Sequence, residues 1–208
     1  MKTFLRMALP LALLIATPLQ AQTTLGVKGG INIATVDTNV SDISDLVDSK
    51  TGFVGGGFVT LGLGSLFALQ PELLYSQKGF QVEEFGETVK LNTNYIEIPV
   101  LLKAQFDLAM LRPAVYAGPV LSFETGCSLS ALEVSVDCDD ELADVGERKK
   151  NEWGAVFGAN VDLILGSITL ILDGRYQLGL TNLADVPDSD DSVKNNVWQI
   201  MAGVGFTL

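Results

Sequence analysis

Val197-Trp198-Gln199-Ile200-Met201-Ala202-Gly203-Val204-Gly205-Phe206-Thr207-Leu208 is the stretch that decides the fold. Trp198, Ile200, Ala202, Val204, Phe206 and Leu208 alternate with Val197, Gln199, Met201, Gly203, Gly205 and Thr207. Successive side chains of a strand point to opposite sides, so an apolar stripe at period two describes a strand with one greasy face. The pattern recurs upstream in segments of about ten residues, the length a tilted strand needs to cross a bilayer.

Seven such segments precede it. The first runs from Thr24 to Thr35, with Leu25, Val27, Ile31 and Ile33 opposing Lys28, Gly30 and Asn32. The second, Thr51 to Leu63, carries Gly55-Gly56-Gly57 and leaves its facing open. The third, Leu66 to Lys78, sets Phe67, Leu69, Leu73 and Tyr75 against Gln70, Glu72, Ser76 and Lys78. The fourth, Leu91 to Phe106, sets Ile96, Ile98, Val100, Leu102 and Ala104 against Tyr95, Glu97, Lys103 and Gln105. In the fifth, Arg112 to Glu124, Val115, Ala117, Leu121 and Phe123 oppose Arg112, Tyr116 and Ser122. In the sixth, Trp153 to Leu165, Phe157, Val161 and Leu163 oppose Asn160 and Asp162. The seventh, Ile168 to Thr181, opposes Leu170, Leu172, Tyr176 and Leu178 to Asp173, Arg175 and Gln177.

The connections alternate in length. Gly64-Ser65, Asp107 to Leu111 and Gly166-Ser167 are short, whereas the others are acidic stretches: Asp37 to Asp48, Glu83 to Glu87, Glu124 to Glu152 and Asp185 to Asp191. Short turns at one end and long loops at the other are the asymmetry of an outer-membrane barrel, turns periplasmic and loops outside. The expected fold is all-β, an eight-stranded antiparallel transmembrane up-and-down β-barrel. Pro71, Pro99, Pro113 and Pro119 cannot donate to a ladder, so bulges or local breaks are expected around them.

Met1 to Ala21 has the parts of a signal peptide: Lys2 and Arg6, an apolar run from Met7 to Ala16, and a small residue at Ala21. The expected organisation is therefore a leader over 1–21 and one barrel domain over 22–208. No later segment offers eighteen consecutive apolar residues, so no transmembrane helix is expected in the mature chain. The chain is 48% hydrophobic yet carries a formal net charge of -12. Such a balance requires segregation, and the carboxylates gather in the four acidic stretches. Acidic loops repel polyanions, so a nucleic-acid partner is disfavoured.

Candidate chemistry is bounded by absence. The chain has no histidine, which removes Ser-His-Asp and Cys-His arrangements and any histidine-ligated zinc. No catalytic residue, resident metal or cofactor is expected. Cys127 and Cys138 are the two cysteines, and in an exported chain an even count favours a disulfide over a thiol metal site. Lys28, Glu72, Lys78, Glu97, Lys103, Asp162, Asp173 and Arg175 all lie opposite an apolar stripe. If the stripe meets lipid, these charges point into a lumen only wide enough to be filled by its own side chains. A plug of ion pairs is then expected, with a narrow channel or transporter as the alternative. Asp137 to Glu141 and Asp188 to Asp191 offer oxygen ligands for weak divalent-cation binding, but neither fits the twelve-residue calcium loop. A solvated anionic surface is the plainer expectation. Tyr75, Trp153, Tyr176 and Trp198 fall at strand ends, as interfacial girdles do. A soluble lipocalin-like periplasmic binder, apolar face inward, is the competing architecture, but its charged outer face would be unusually sparse.

The runs Leu25 to Asn32, Gln70 to Gly79 and Tyr95 to Lys103, with Ala117-Gly118-Pro119 and Gly174 to Asn182, resemble the porin-family outer-membrane β-barrel domain. That domain is common in Bacteroidota-type bacteria and is similar to eight-stranded OmpA- and OmpX-type barrels. The resemblance spans nearly the whole mature chain. It implies outer-membrane lipid and the barrel-assembly machinery as partners, a monomer, and no assigned enzymatic activity. Many such barrels end in phenylalanine. Here Leu208 is last, so Trp198, Phe206 and Leu208 on one face are the expected assembly signal, Phe206 standing in for the terminal aromatic. The expected role is structural or surface display, carried by a filled barrel with acidic extracellular loops.

Overall fold

The computed structural model describes residues 23–38, 47–84, 87–131, 134–137, 151–181 and 193–208. The expected leader, Cys138 and the Asp185 to Asp191 run lie outside them. The described residues form strands β1 (Thr23–Thr38), β2 (Val47–Leu63), β3 (Phe67–Glu84), β4 (Glu87–Gln105), β5 (Leu111–Ala131), β6 (Val134–Asp137), β7 (Asn151–Leu165), β8 (Ile168–Gly179) and β9 (Val193–Thr207). Each wall strand pairs antiparallel with its neighbours, β1 closes on β9, and β4 pairs with β5 across the remaining gap. The result is a closed eight-stranded barrel with no helix among the described residues. Closure leaves the wall without a free strand edge. The short β6 is an addition the alternation did not predict; it pairs only with Ser128–Ala131 of β5, above the wall.

The facing follows from solvent chemistry. Leu25, Val27, Leu73, Leu102, Val115, Phe157, Leu172, Ile200 and Phe206 are exposed on the outer surface, whereas Lys28, Glu72, Glu97, Arg175 and Gln199 are buried inside. An outer face this apolar is stable only against lipid. The soluble binder, which requires the opposite facing, is overturned. The structure also decides β2: Val54 and Phe58 point inward, and Phe53 is exposed outward.

Two expectations about strand limits are corrected. The wall strands run longer than the apolar stripes, with β3, β4 and β5 reaching 18, 19 and 21 residues. Glu83, Glu84 and Glu87, expected in a connecting stretch, are therefore strand residues, since Glu83 pairs with Thr88 and Glu84 with Glu87. Backbone pairing continues past the bilayer because ladder hydrogen bonds do not depend on what the side chains meet. Of the two consequences expected of the prolines, local breaks are present and bulges are not. Rungs are missing opposite Pro71, Pro99 and Pro119, but the register is the same on both sides of each gap. The register shifts fall elsewhere, between Ser49 and Val54 and between Asn94 and Tyr95. A missing donor removes a bond without inserting a residue, so no bulge results. At two of the short turns Gly64 (φ 81°) and Gly166 (φ 70°) take the left-handed conformation that glycine accepts without strain.

Candidate functional site: the barrel interior

Inward parity collects the polar residues of all eight wall strands along one axis. An isolated buried charge costs several kcal/mol, so each must find a partner within that narrow space. Glu72 of β3 is the hub. Its Oε1 accepts from Lys28 Nζ at 2.7 Å and from Gln70 Nε2 at 2.6 Å, and its Oε2 accepts from Arg175 Nη1 at 2.7 Å. Lys28 also reaches Asp173 Oδ2 at 3.0 Å, and the Tyr116 hydroxyl donates to Asp173 Oδ1 at 2.6 Å. Arg175 Nε donates to Gln199 Oε1. Five strands (β1, β3, β5, β8 and β9) are thereby tied across the lumen at one level.

A second group lies toward the loop end. Lys78 Nζ forms an ion pair with Glu97 Oε1 at 2.5 Å and stands 4.9 Å from the centre of the Tyr95 ring. Gln177 Nε2 and the Ser122 hydroxyl donate to the same Glu97 oxygen at 3.2 and 3.5 Å. Tyr95 in turn donates to Glu152 Oε1 at 2.7 Å. Beyond it, Asn32 Nδ2 donates to the Ser76 hydroxyl at 2.8 Å and to the Gln77 carbonyl at 3.0 Å. Two clusters of buried side chains pack inside the same barrel: Leu101, Val120 and Val156 with the Tyr116 ring, and Val54, Leu74 and Met201.

Six of the eight charges expected in the lumen are thus in direct ion pairs. Lys103 and Asp162 are buried but form no ion pair with each other or with another described residue. Lys103 donates to Gln70 Oε1 at 3.0 Å, and Asp162 accepts from Asn160 at 2.5 Å. Both line a cavity of about 20 Å³ at the short-turn end, together with Thr60, Gln105 and Thr169. That is room for roughly one water. Four cations face four carboxylates among the eight, so the expected set is neutral in sum.

Glu152 was placed in an acidic loop by sequence, yet it is buried at the start of β7. Its parity, one residue before the outward Trp153, was the available signal; starting the strand at Trp153 hid it. Gln70, Tyr116 and Gln199, which complete the network, share the same inward parity but carry no charge to draw notice. Cys127 is buried near the loop end of β5 and has no free thiol. Trp153, Trp198 and Tyr75 are exposed on the outer face, and Tyr176 packs on Trp198 with ring centres 4.9 Å apart. Trp198, Phe206 and Leu208 all point outward. The described residues contain no group of side chains fit to hold a metal.

The chain matches one family model, the outer membrane protein beta-barrel domain, over residues 20–185. The chain belongs to that family. It is an outer-membrane protein. Solved structures agree on the fold at low identity. A major outer membrane protein from Thermus thermophilus is 10% identical, with 89% of this chain and 99% of that one covered at a TM-score of 0.55. OprG from Pseudomonas aeruginosa is 12% identical, covering 90% and 98% at 0.53. Outer membrane protein W of E. coli is 15% identical, covering 91% and 100% at 0.50. No curated protein sequence matches.

Proposed function

We propose that this outer-membrane barrel is a closed, non-enzymatic anchor that displays the acidic loops at the cell surface. The filled mid-section carries the reading. Glu72, Glu97, Arg175 and Gln199 are between 0% and 3% exposed, and they bridge the lumen from several strands rather than lining a passage. A channel at this strand number would need those side chains to move as a group, because eight strands enclose little more than their own side chains. The same reading takes the protein as a monomer that meets lipid and the assembly machinery, Phe206 serving the latter. It treats divalent-cation binding at the acidic runs as weak and incidental. Planar-bilayer recording of the purified protein is the test. No steady unitary current is expected; steady unitary steps would refute the closed lumen and favour the channel.

A further inference from the structure

The link between β4 and β5 differs in chemistry from the other two short turns. Those present Gly64-Ser65 and Gly166-Ser167, whereas this one reads Phe106-Asp107-Leu108-Ala109-Met110-Leu111. Phe106, Leu108, Met110 and Leu111 are 51%, 62%, 58% and 46% exposed. In water such a tip is an unfavourable arrangement.

Three observations say what covers it. First, the tip continues the lipid-facing belt. Val100, Leu102 and Ala104 face outward on β4, and Phe106 and Leu108 keep that parity past the strand end; Leu111 keeps the parity of Val115 on β5. Leu63, Phe67, Leu165 and Ile168 make the same rim apolar on the neighbouring strands. Second, its two charges neutralise each other, since Arg112 Nε donates to Asp107 Oδ1. Third, much of its backbone bonding is internal to the protein. Leu108 and Leu111 exchange N–H to carbonyl bonds at 2.8 and 3.0 Å, Phe106 N–H donates to the Pro113 carbonyl at 2.9 Å, and the Met110 carbonyl accepts from Ile164 at 2.8 Å. Entry into a low-dielectric layer is costly mainly for unpaired backbone groups and net charge, and this turn has reduced both.

We infer that the β4–β5 turn is a lipid-binding tongue that inserts into the membrane leaflet at the short-turn end, with phospholipid as its partner. In the usual orientation of outer-membrane barrels that leaflet is the periplasmic one. The tongue gives the barrel a fixed depth and a fixed tilt on that side, because one rim sector is held in lipid while the Gly-Ser turns stay in water.

The test is spin labelling of the full-length barrel reconstituted in vesicles of phosphatidylethanolamine and phosphatidylglycerol. Labels are placed at Leu108→Cys, at Met110→Cys as a second position, at Leu172→Cys in the belt, and at Ser65→Cys and Ser167→Cys in the other turns. Wild-type protein taken through the same labelling gives the background from Cys127 and Cys138. Power saturation compares collisions with oxygen, which concentrates in lipid, and with a water-soluble nickel chelate. The labels at 108 and 110 are expected to favour oxygen, as the belt label does, while those at 65 and 167 favour the chelate. Tongue labels as open to the chelate as the Ser65 and Ser167 labels would overturn the proposal. Labels shielded from both reagents would overturn it too, in favour of a protein contact, including a second copy of the barrel.

Discussion

Glu72→Leu removes the carboxylate on which the interior network converges. The change deletes contacts of 2.7 Å to Lys28, 2.7 Å to Arg175 and 2.6 Å from Gln70. Lys28 keeps Asp173 at 3.0 Å. Arg175 retains the neutral acceptors Gln199 and Met201 but no ion pair, and it is 1% exposed. Removing one member of a buried pair costs about 3–5 kcal/mol, because the charge left behind has no water to replace its partner. The double variant Glu72→Leu with Arg175→Met removes both charges and leaves apolar groups of similar volume. Such replacements are commonly neutral or stabilising, so it should regain most of the loss. Urea titration of the barrel in lipid vesicles measures both, followed by fluorescence of Trp153 and Trp198, which lie on the outer face and report lipid contact. A single variant within about 1 kcal/mol of the parent would refute the network as a source of stability, being no more than a typical point change. A double variant no better than the single would refute the stranded charge as the cause.

Three further outcomes are expected. Leu172→Arg and Ile200→Arg, at exposed outer positions, should each cost about 2–4 kcal/mol of barrel stability near mid-membrane. Gln177→Arg, on the inner face, should disturb packing without that dependence on depth; equal penalties at both faces in the urea titration would refute the facing. Gly158→Ala should cost about 1–3 kcal/mol, since the new methyl would lie 2.5 Å from the Tyr116 hydroxyl and 2.6 Å from Arg175 Cβ. The pairing of Cys127 with Cys138 is checked by mass spectrometry of unreduced protein. Cys127→Ser should leave heat-modifiable gel migration of the barrel unchanged while exposing residues 128–150 to protease, because the flanking strands are held by closure.

The pattern of β8 shows how much was legible in the residue order. Leu170 and Leu172 against Asp173, Arg175 and Gln177 assigned strand, facing and lumen membership together, since period two leaves one choice once lipid is outside. β2 gave no such answer. A glycine run has no side chains to partition, so only its pairing with β1 and β3 revealed that Val54 and Phe58 turn inward. Glu152 was missed for a related reason: a charge beside an acidic loop looks solvated until the partner strand is known. Pro71, Pro99 and Pro119 gave the local breaks their missing donors imply, while the choice between break and bulge was decided by the neighbouring ladders, which keep their register.

Alternation by itself determined that the chain forms amphipathic strands of membrane length and that eight named charges share the face opposite the apolar stripe; burial in the closed barrel decided that the apolar face is the outer one. Strand form and parity are local properties, decided residue by residue through the geometry of a strand. The partners of those charges were decided only by closure. Arg175 meets Glu72, 103 positions away in the chain, and Lys28 meets Asp173, 145 positions away. Lys103 and Asp162 stay apart across a water-sized cavity. Which inward side chains fall at the same height depends on the stagger between strands around the barrel, a quantity that belongs to the ladder of hydrogen bonds as a whole and to no single segment.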